Sequence, residues 1–340
     1  MLKKAIVAIA GVAVVGICCA QNAQAQSLTP TLWGVDEDDG QLFSIGDYNN
    51  AENTFTDFGK LKWNNNGTLQ NIGADIEAFT LDTDGTAFLA LDRGIGDFAG
   101  QRVNTLLSFN ILDAEVGNTV VDILGTIGDL SLYDDDADNI SGLSIDPISG
   151  GLFALLKNDA PGESSKDIVD LLFEINKSDG SVIGSTKQIQ GSGAVANKAE
   201  DMEFDTSGNL YVTDNHDDHL YQVNPNTGEI IAVVDNNQKG GLGTSGRKFE
   251  ALGWDFVNDQ LIGSDDNQDI FATLSIQNGG NSSLGHIEGL TDVEGIDFVP
   301  TADGKPNRQP VEVPEPASLL GLAAIGAIAA SSKLKKKAAA

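Results

Sequence analysis

The sequence predicts an all-β body made of repeated antiparallel sheets, with a short segment at each end that does not belong to it. The 340-residue chain contains 39 Gly and only 6% aromatic residues, a composition that suits many short strands joined by tight turns. Hydrophobic residues make up 41%, which is enough for a core and too much for a disordered acidic polymer. A strand-like segment that ends in Asp and leads into a turn recurs along the chain.

The repeat consists of a predicted strand, a turn rich in Gly, Asn and Asp, and a second strand. Four copies contain both strands, and a fifth contains the first strand only; the copies begin at Ile76, Ile140, Ala199, Phe249 and Val293. Third strands are predicted near 106–110, 171–176, 220–228 and 270–274, and fourth strands near 181–184 and 229–234. Each copy therefore has the material for one small antiparallel sheet.

The spacing of the repeat favours a β-propeller. Residues 77, 141, 200, 250 and 294 occupy one repeat position and are 64, 59, 50 and 44 residues apart, whereas a blade takes about 40–50 residues. We expect five blades, or six if a degenerate blade lies within 97–135. Strand 293–299 should pair with 32–35 and close the ring, which removes the free sheet edges. An open β-sandwich is the structural alternative.

The best-formed repeat, Phe204-Asp-Thr-Ser-Gly-Asn-Leu-Tyr-Val-Thr-Asp214 followed by 220–228, resembles the broad group of NHL and SMP-30-like propellers. This resemblance implies a propeller fold that is shared by binding proteins, lactonases and phytase-like enzymes. It assigns no ligand residue, because the metal ligands of the lactonases do not match this chain one by one.

The N-terminus predicts a signal peptide over residues 1–25. Lys3 and Lys4 precede an apolar stretch at 5–20, and Ala23 and Ala25 form a small-x-small cleavage site. We therefore expect export through the Sec system, cleavage by signal peptidase and a mature chain that starts at 26. Both cysteines lie in the removed segment, which excludes disulfides, Cys-zinc sites and Cys nucleophiles.

The C-terminus contains Pro314, Glu315 and Pro316, then an apolar stretch at 317–330 and a basic cluster at 333–337. As a helix the 14 apolar residues would span about 21 Å, which is short for a membrane core unless flanking lysines snorkel. The tail resembles the PEP-CTERM sorting signal. That resemblance implies transient membrane anchoring, processing by an exosortase-type enzyme and release to the cell envelope or extracellular matrix.

The predicted domains are thus a signal peptide at 1–25, a β-propeller at 26–307, a linker with the sorting motif at 308–316, and a membrane or sorting helix with a basic tail at 317–340. Removal of both ends deletes six lysines and leaves 14 basic residues against 50 acidic ones. Such an excess of negative charge argues against nucleic-acid binding and favours affinity for divalent cations.

A repeated acid is the main candidate site. Glu77, Glu200, Glu250 and Glu294 share one repeat position, and Ser141 replaces the fifth acid. In a propeller this position faces one mouth of the axial channel. Carboxylates that converge there cannot all stay ionised without a cation or raised pKa values. Oxygen ligands without Cys favour Ca²⁺ as the cofactor. The alternative is that each Glu accepts hydrogen bonds from nearby amides and water.

Aspartate-rich loops are the second choice for a metal. These residues are Asp134, Asp136, Asp138, Asp214, Asp217, Asp218, Asp265 and Asp269. The loop at 134–145 has Ile145 where an EF-hand needs its bidentate Glu, so an EF-hand is excluded. Solvent-exposed turns are the alternative for all of these loops.

The sequence favours a non-catalytic binding or structural protein of the envelope or matrix, with a matrix polysaccharide or protein as its partner. It contains no Gly-x-Ser-x-Gly, P-loop or His-Glu-x-x-His motif. The alternative function is a hydrolase that uses channel carboxylates and a metal at the propeller mouth, of the lactonase, esterase, phytase-like or glycosidase type. The choice between binding protein and enzyme stays open at this point.

Overall fold

A computed structural model of the chain describes residues 30–305 except for 38–39, 49–53, 74, 102, 129–138, 159–168, 192, 216–218, 235–247, 266–269, 278–279, 287–289 and 302–303. The described part is almost entirely β-structure. In chain order its strands are β1 (Leu32–Asp36), β2 (Gln41–Ile45), β3 (Phe55–Lys60), β4 (Lys62–Asn65), β5 (Thr68–Asn71), β6 (Ile76–Leu81), β7 (Thr86–Leu91), β8 (Thr105–Asn110), β9 (Val120–Thr126), β10 (Asn139–Ile145), β11 (Leu152–Lys157), β12 (Leu171–Ile175), β13 (Val182–Gln188), β14 (Gln190–Gly191), β15 (Ala194–Val195), β16 (Ala199–Phe204), β17 (Leu210–Asp214), β18 (His219–Val223), β19 (Ile230–Val233), β20 (Phe249–Asp255), β21 (Gln260–Asp265), β22 (Ile270–Leu274), β23 (Asn281–His286) and β24 (Val293–Phe298).

The strands form a five-bladed β-propeller, as the repeat spacing predicts. From the axis outward the blades are β24-β1-β2-β3, β6-β7-β8-β9, β10-β11-β12-β13, β16-β17-β18-β19 and β20-β21-β22-β23, which we number one to five. Inner strands β24, β6, β10, β16 and β20 pack against one another in that order, and β20 packs on β24 to complete the ring. This closed ring rules out the open sandwich.

The first blade joins the two ends of the described chain. Strand β24 pairs antiparallel with β1, with Leu32 opposite Phe298 and Val35 opposite Gly295. The predicted closure between 293–299 and 32–35 is therefore confirmed. Because the C-terminal strand supplies the innermost position, no inner edge is left open to another chain.

The second blade is larger than the repeat requires. Hairpin β4-β5 adds to its outer edge through a parallel pairing of β4 with β9, so that this sheet has six strands. Two 3-10 helices, Gly96–Phe98 and Ile111–Asp113, lie in the loops on either side of β8. The segment predicted as a hidden sixth blade instead supplies β8 and β9 of the second blade, and the loops on either side of β8, each with a 3-10 helix, lengthen the first interval.

Burial explains the residue pattern along each blade. The two inner strands are enclosed on both faces, so β16 is buried throughout and β7 is almost so. The outermost strands face solvent, and β13 is mostly exposed. Apolar clusters fill the space between neighbouring blades; one of them joins Val35 and Leu42 of blade one to Phe79 and Leu89 of blade two. Removal of such side chains from water is the main stabilising term.

The predicted signal peptide at 1–25, the sorting motif at Pro314, Glu315 and Pro316 and the tail at 317–340 lie outside the described residues. Within the described part, no helix has the length and apolar character needed to cross a membrane. Export, sorting and anchoring therefore stay predictions from the sequence.

Candidate functional site at the channel mouth

The repeat acids lie where the inner strands begin, at the end of the ring that we call the top. Glu77, Glu200, Glu250 and Glu294 are each the second residue of their inner strand. Each falls on a β-bulge, where the pairing with the second strand shifts register, and Ser141 of β10 lies on the equivalent bulge. A bulge leaves its residue out of the ladder and redirects the side chain, and it recurs next to functional sites.

A second set of polar residues stands beside the first. These residues end or directly follow the second strand of their blades: Glu37, Asp92, Lys157 and Asn215. The amides of Glu37, Asp92 and Asn215 donate to the carbonyl two residues before the repeat glutamate of the same blade. Asp266 is the corresponding residue of blade five and is outside the described part. These residues were not predicted as site residues, although an alignment of the ends of the second strands brings them together.

Three repeat glutamates contact a polar side chain from a neighbouring blade. Asn139 Nδ2 donates to Glu77 Oε2 at 2.7 Å, and Asn215 Nδ2 donates to Glu250 Oε1 at 3.2 Å. Lys157 Nζ donates to Glu200 Oε2 at 2.6 Å, and both side chains are largely buried. These glutamates therefore connect neighbouring blades and also contribute negative charge to the channel mouth.

The fourth repeat glutamate lies in a cluster of carboxylates. Glu37, Asp292 and Glu294 each offer one oxygen, and these three oxygens lie within 4.8 Å of one another. Glu37 follows β1, whereas Asp292 and Glu294 lie at the start of β24, so the group spans the junction that closes the ring. We call these three residues the closure cluster. Asp292 and Glu37 were not predicted as site residues.

Electrostatic interactions extend across the top of the ring. Burial, followed by repulsion from Glu37 and Asp92, raises the pKa of Glu77 to about 8. Burial, followed by repulsion from Glu250, Glu77, Asp292 and Glu37, raises the pKa of Glu294 well above its usual range. At neutral pH this mouth therefore retains protons that exposed carboxyls would have lost.

Lys157 is the basic partner of these acids. Burial acts against its charge, but the attraction of Glu200, then of Glu77 and Glu294, outweighs burial and raises the lysine pKa. The pKa of Asp92 nearby is raised to about 6, chiefly by burial. Lys157 thus stays fully charged and partly neutralises a mouth that is otherwise acidic.

The blade that provides this lysine is the one that lacks the repeat acid. Ser141 takes the acid position in blade three, where its hydroxyl donates to the carbonyl of Ala199 at 2.7 Å. Lys157, at the end of the neighbouring strand β11, then faces the acid of blade four. Convergent carboxylates need a cation or raised pKa values; Glu77 and Glu294 have raised pKa values, and the ammonium group of Lys157 pairs with Glu200.

A second layer of acids lies deeper along the inner strands. Asp201 accepts hydrogen bonds from the amides of Met202 and Leu252, and Asp297 accepts from the amides of Leu81 and Phe298. Burial raises the pKa of Asp297 to about 7 and that of Glu203 well above its usual range, with repulsion from Asp297 as the next cause for Glu203. Because Asp201 and Asp297 bond to the neighbouring inner strand, this layer fastens the ring together.

The aspartates predicted as second-choice metal ligands divide into two groups. Asp214 and Asp265 end strands β17 and β21 and are fully buried, so the alternative of an exposed turn is wrong for these two. Asp214 Oδ2 accepts from the amides of Asn197 and Lys198, which holds the loop that leads into β16. The others, Asp134, Asp136, Asp138, Asp217, Asp218 and Asp269, lie outside the described residues.

The mouth has the chemistry of a site for a hard cation. Electrostatic contacts connect seven carboxylates there: Glu37, Glu77, Asp92, Glu200, Glu250, Asp292 and Glu294. Lys157 interacts with four of them, Glu77, Asp92, Glu200 and Glu294. Ca²⁺ takes six to eight oxygen ligands, and carboxylates and water supply them in flexible geometry. The closure cluster provides three such ligands; Glu77 and Glu250 stand next to it, and Glu200 is engaged by the lysine.

No protein-family model matches the chain, and a search of curated proteins gave no match. Among solved structures, a chain in the crystal structure of a nidogen/laminin complex is 13% identical, with a TM-score of 0.44 over 78% of this chain and 97% of that one. A luciferin-regenerating enzyme is also 13% identical, with a TM-score of 0.44 over 81% and 80%. A Bacteroides thetaiotaomicron protein of unknown function is 11% identical, with a TM-score of 0.44 over 80% and 62%. Likenesses at this level concern the fold and assign no function to the mouth.

Proposed function

We propose that this protein is a non-catalytic binding propeller of the cell envelope or extracellular matrix that holds a calcium ion at its channel mouth. The observation that supports this proposal is the closure cluster, in which Glu37, Asp292 and Glu294 present oxygens within 4.8 Å of one another. Ca–O distances are about 2.3–2.6 Å, so a single ion between these oxygens can contact all three.

The surrounding charge favours a cation at this position. Glu294 is also repelled by Glu250 and Glu77, and Lys157 contacts Glu200 on the far side of the repeat set. The four charged groups that act most strongly on Glu294 are all carboxylates, so repulsion dominates at this position. A divalent ion removes the repulsion and stabilises the folded state by linkage, by about 2.7 kcal/mol at a hundredfold excess over Kd.

The donor set selects the kind of ion. The ligands are carboxylate oxygens, and a mature chain without residues 1–25 has no cysteine. Oxygen-only sites suit Ca²⁺, Mg²⁺ or Mn²⁺ and disfavour Zn²⁺ and copper. Among the oxygen-preferring ions, Ca²⁺ tolerates irregular geometry best, which favours it at a cluster built from two chain segments.

The position of the ion defines its proposed role. Glu37 belongs to the N-terminal side of the closure and Asp292 and Glu294 to the C-terminal side, so one ion connects both ends of the propeller. A structural calcium in an exported protein then makes ring stability depend on the calcium level outside the cell. The scaffold that presents binding partners is therefore most stable where calcium is abundant.

Thermal unfolding with and without calcium tests this proposal. The melting temperature should fall in EDTA and recover when Ca²⁺ is added in excess. Glu294→Gln keeps the shape of the side chain but removes its charge, and it should abolish most of the calcium response. Glu115→Gln is the matched control, because Glu115 is exposed and remote from the cluster in sequence; it should keep the full response. A wild-type melt that is identical in EDTA and in calcium would refute the proposal.

A further inference from the structure

The second blade carries a cleft of about 610 Å³ that is separate from the channel mouth. One wall is the β4-β5 hairpin, and the other is the loop that contains the 3-10 helix Gly96–Phe98. The hairpin is an addition to the four-stranded repeat that forms the other blades. Its volume lies within the range of about 300–1,000 Å³ that is typical of ligand sites.

Side-chain amides line the hairpin wall. Asn64 Oδ1 accepts from the amide of Gly67 at 2.7 Å, and Asn66 Nδ2 donates to Asn65 Oδ1 at 3.1 Å. Within the described part of the chain, the remaining groups of these amides and the whole amide of Gln70 have no protein partner. The wall therefore offers both hydrogen-bond donors and acceptors to a ligand.

An indole lies beside these amides. Trp63 is partly exposed in the cleft while it packs against the core shared by blades one and two. Gly96 stands opposite: a Cβ at this position would come within 3.7 Å of the Trp63 ring and 2.9 Å of Ile123, and its φ is +62°. The positive φ favours glycine at this position, and the loop runs beside the indole there.

The charge of the cleft excludes several ligand classes. Asp97 is the charged side chain among the described lining residues, which include no Lys or Arg. The whole chain has a formal charge of −30. Phosphorylated, sulfated or uronic-acid ligands would meet repulsion from this charge, with no basic group among the described lining residues to offset it. A neutral ligand with many hydroxyl groups suits the amides, Asp97 accepts from hydroxyls, and the indole covers the apolar C–H face of a sugar ring.

We propose that this cleft binds a neutral polysaccharide, with Trp63 as the apolar contact and Asn66 and Gln70 as hydrogen-bonding groups. The inference goes beyond the calcium site, with which the cleft shares no residue. In this proposal, blade two is the part of the propeller that attaches to glycan chains.

Native affinity electrophoresis of the full-length protein in gels that contain dextran, laminarin or galactomannan tests the proposal. At least one of these neutral polymers should retard the wild type, in EDTA as well as in calcium, so that a failure of the calcium site does not affect the result. Trp63→Ala should weaken binding about tenfold, and Gln70→Ala about threefold, as expected for an apolar anchor and a peripheral hydrogen bond.

Gln277→Ala is the matched control. Gln277 is exposed like Gln70 and lines another polar cleft, of about 450 Å³ on blade five, whose Trp254 is buried. This variant should bind as the wild type does, and melting curves verify that each variant is folded. Since Gln70 is exposed, its variant keeps the test valid if Trp63→Ala unfolds. Retardation by none of the neutral polymers, retardation by anionic alginate alone, or unchanged binding by Gln70→Ala and a folded Trp63→Ala would overturn the proposal.

Discussion

Lys157 Nζ lies 2.6 Å from Glu200 Oε2, and this ion pair joins the third blade to the fourth at the top of the ring. The lysine comes from the blade in which Ser141 replaces the repeat acid. Blade three thus provides a base and no repeat acid, which lowers the net negative charge of the channel mouth at this position.

Removal of this lysine should destabilise the protein strongly. Lys157→Met leaves Glu200 buried without its partner, and loss of one member of a buried pair costs about 3 kcal/mol. For a domain of this size that lowers the melting temperature by about 6 °C. The double variant Lys157→Met/Glu200→Gln should recover part of the loss, because no uncompensated charge remains.

Lys177→Met is a control for this comparison. Lys177 pairs with Asp82 at 2.5 Å, but both side chains are more exposed than those of the buried pair. Its removal should cost less than about 1 kcal/mol. Equal melting temperatures for both lysine variants, or additive effects in the double variant, would show that the Lys157 pair is an ordinary surface contact.

Stability in EDTA should decrease as the pH rises from about 5 to 8. Glu77 has its pKa raised from 4.5 to about 8, so the folded state holds a proton that the unfolded chain has released. A state that binds more protons loses stability as the pH rises through this window. The raised pKa values of Asp297, about 7, and Asp92, about 6, act in the same direction.

Glu77→Gln isolates the contribution of one group to this pH dependence. An amide oxygen can still accept the hydrogen bond from Asn139 but has no proton to lose. The variant should therefore melt higher than the wild type at pH 8 and lose less stability between pH 5 and 8. Glu115→Gln, at an exposed position, should follow the wild-type curve. Parallel curves for all three proteins would contradict the assigned cause.

The closure of the ring depends on a close approach at Gly295. A Cβ there would lie 2.5 Å from Phe79 Cβ and 2.7 Å from the Phe79 amide nitrogen, on the neighbouring inner strand. Gly295→Ala should destabilise the protein by about 2 kcal/mol through overpacking. Gly46→Ala is the control, since its Cβ would meet nothing nearer than 3.6 Å. Chemical denaturation measures both, and equal midpoints would contradict the proposed tight closure.

The fold could be predicted from the sequence because the copies of the repeat align with one another along the chain. Residues 77, 141, 200, 250 and 294 identified the blades, and the incomplete copy at 293–298 indicated that its partner strand lies at 32–35. Hairpin β4-β5 escaped prediction since it does not repeat. Its polar, exposed residues resemble a loop until β9 is known to lie beside it.

The site could be predicted only in part. The position of the repeat acids followed from the alignment, but the bulges that redirect them are a property of strand pairing. The contact between Lys157 and Glu200 crosses from one blade to the next, so neither residue alone indicates it. Asp292 joins Glu37 solely because the ring closes, which makes the closure cluster a consequence of topology.

Export and processing form a prediction from the two ends of the chain. Protein recovered from outside the cell should lack residues 1–25 and should be cut near Pro314, Glu315 and Pro316. Mass spectrometry of the intact extracellular protein measures both ends. Recovery of peptides that still contain the lysines at 333–337 would contradict processing of the tail.

The most direct measurement for the calcium site is a calcium titration of the metal-free protein at pH 7 that records bound ion and released protons together. The raised pKa of Glu294 means that the ion must displace protons from the mouth. We predict about one Ca²⁺ per chain, bound with release of protons, and loss of both signals in Glu294→Gln. Absence of calcium binding by the folded wild-type protein, or binding that persists unchanged in Glu294→Gln, would contradict the account.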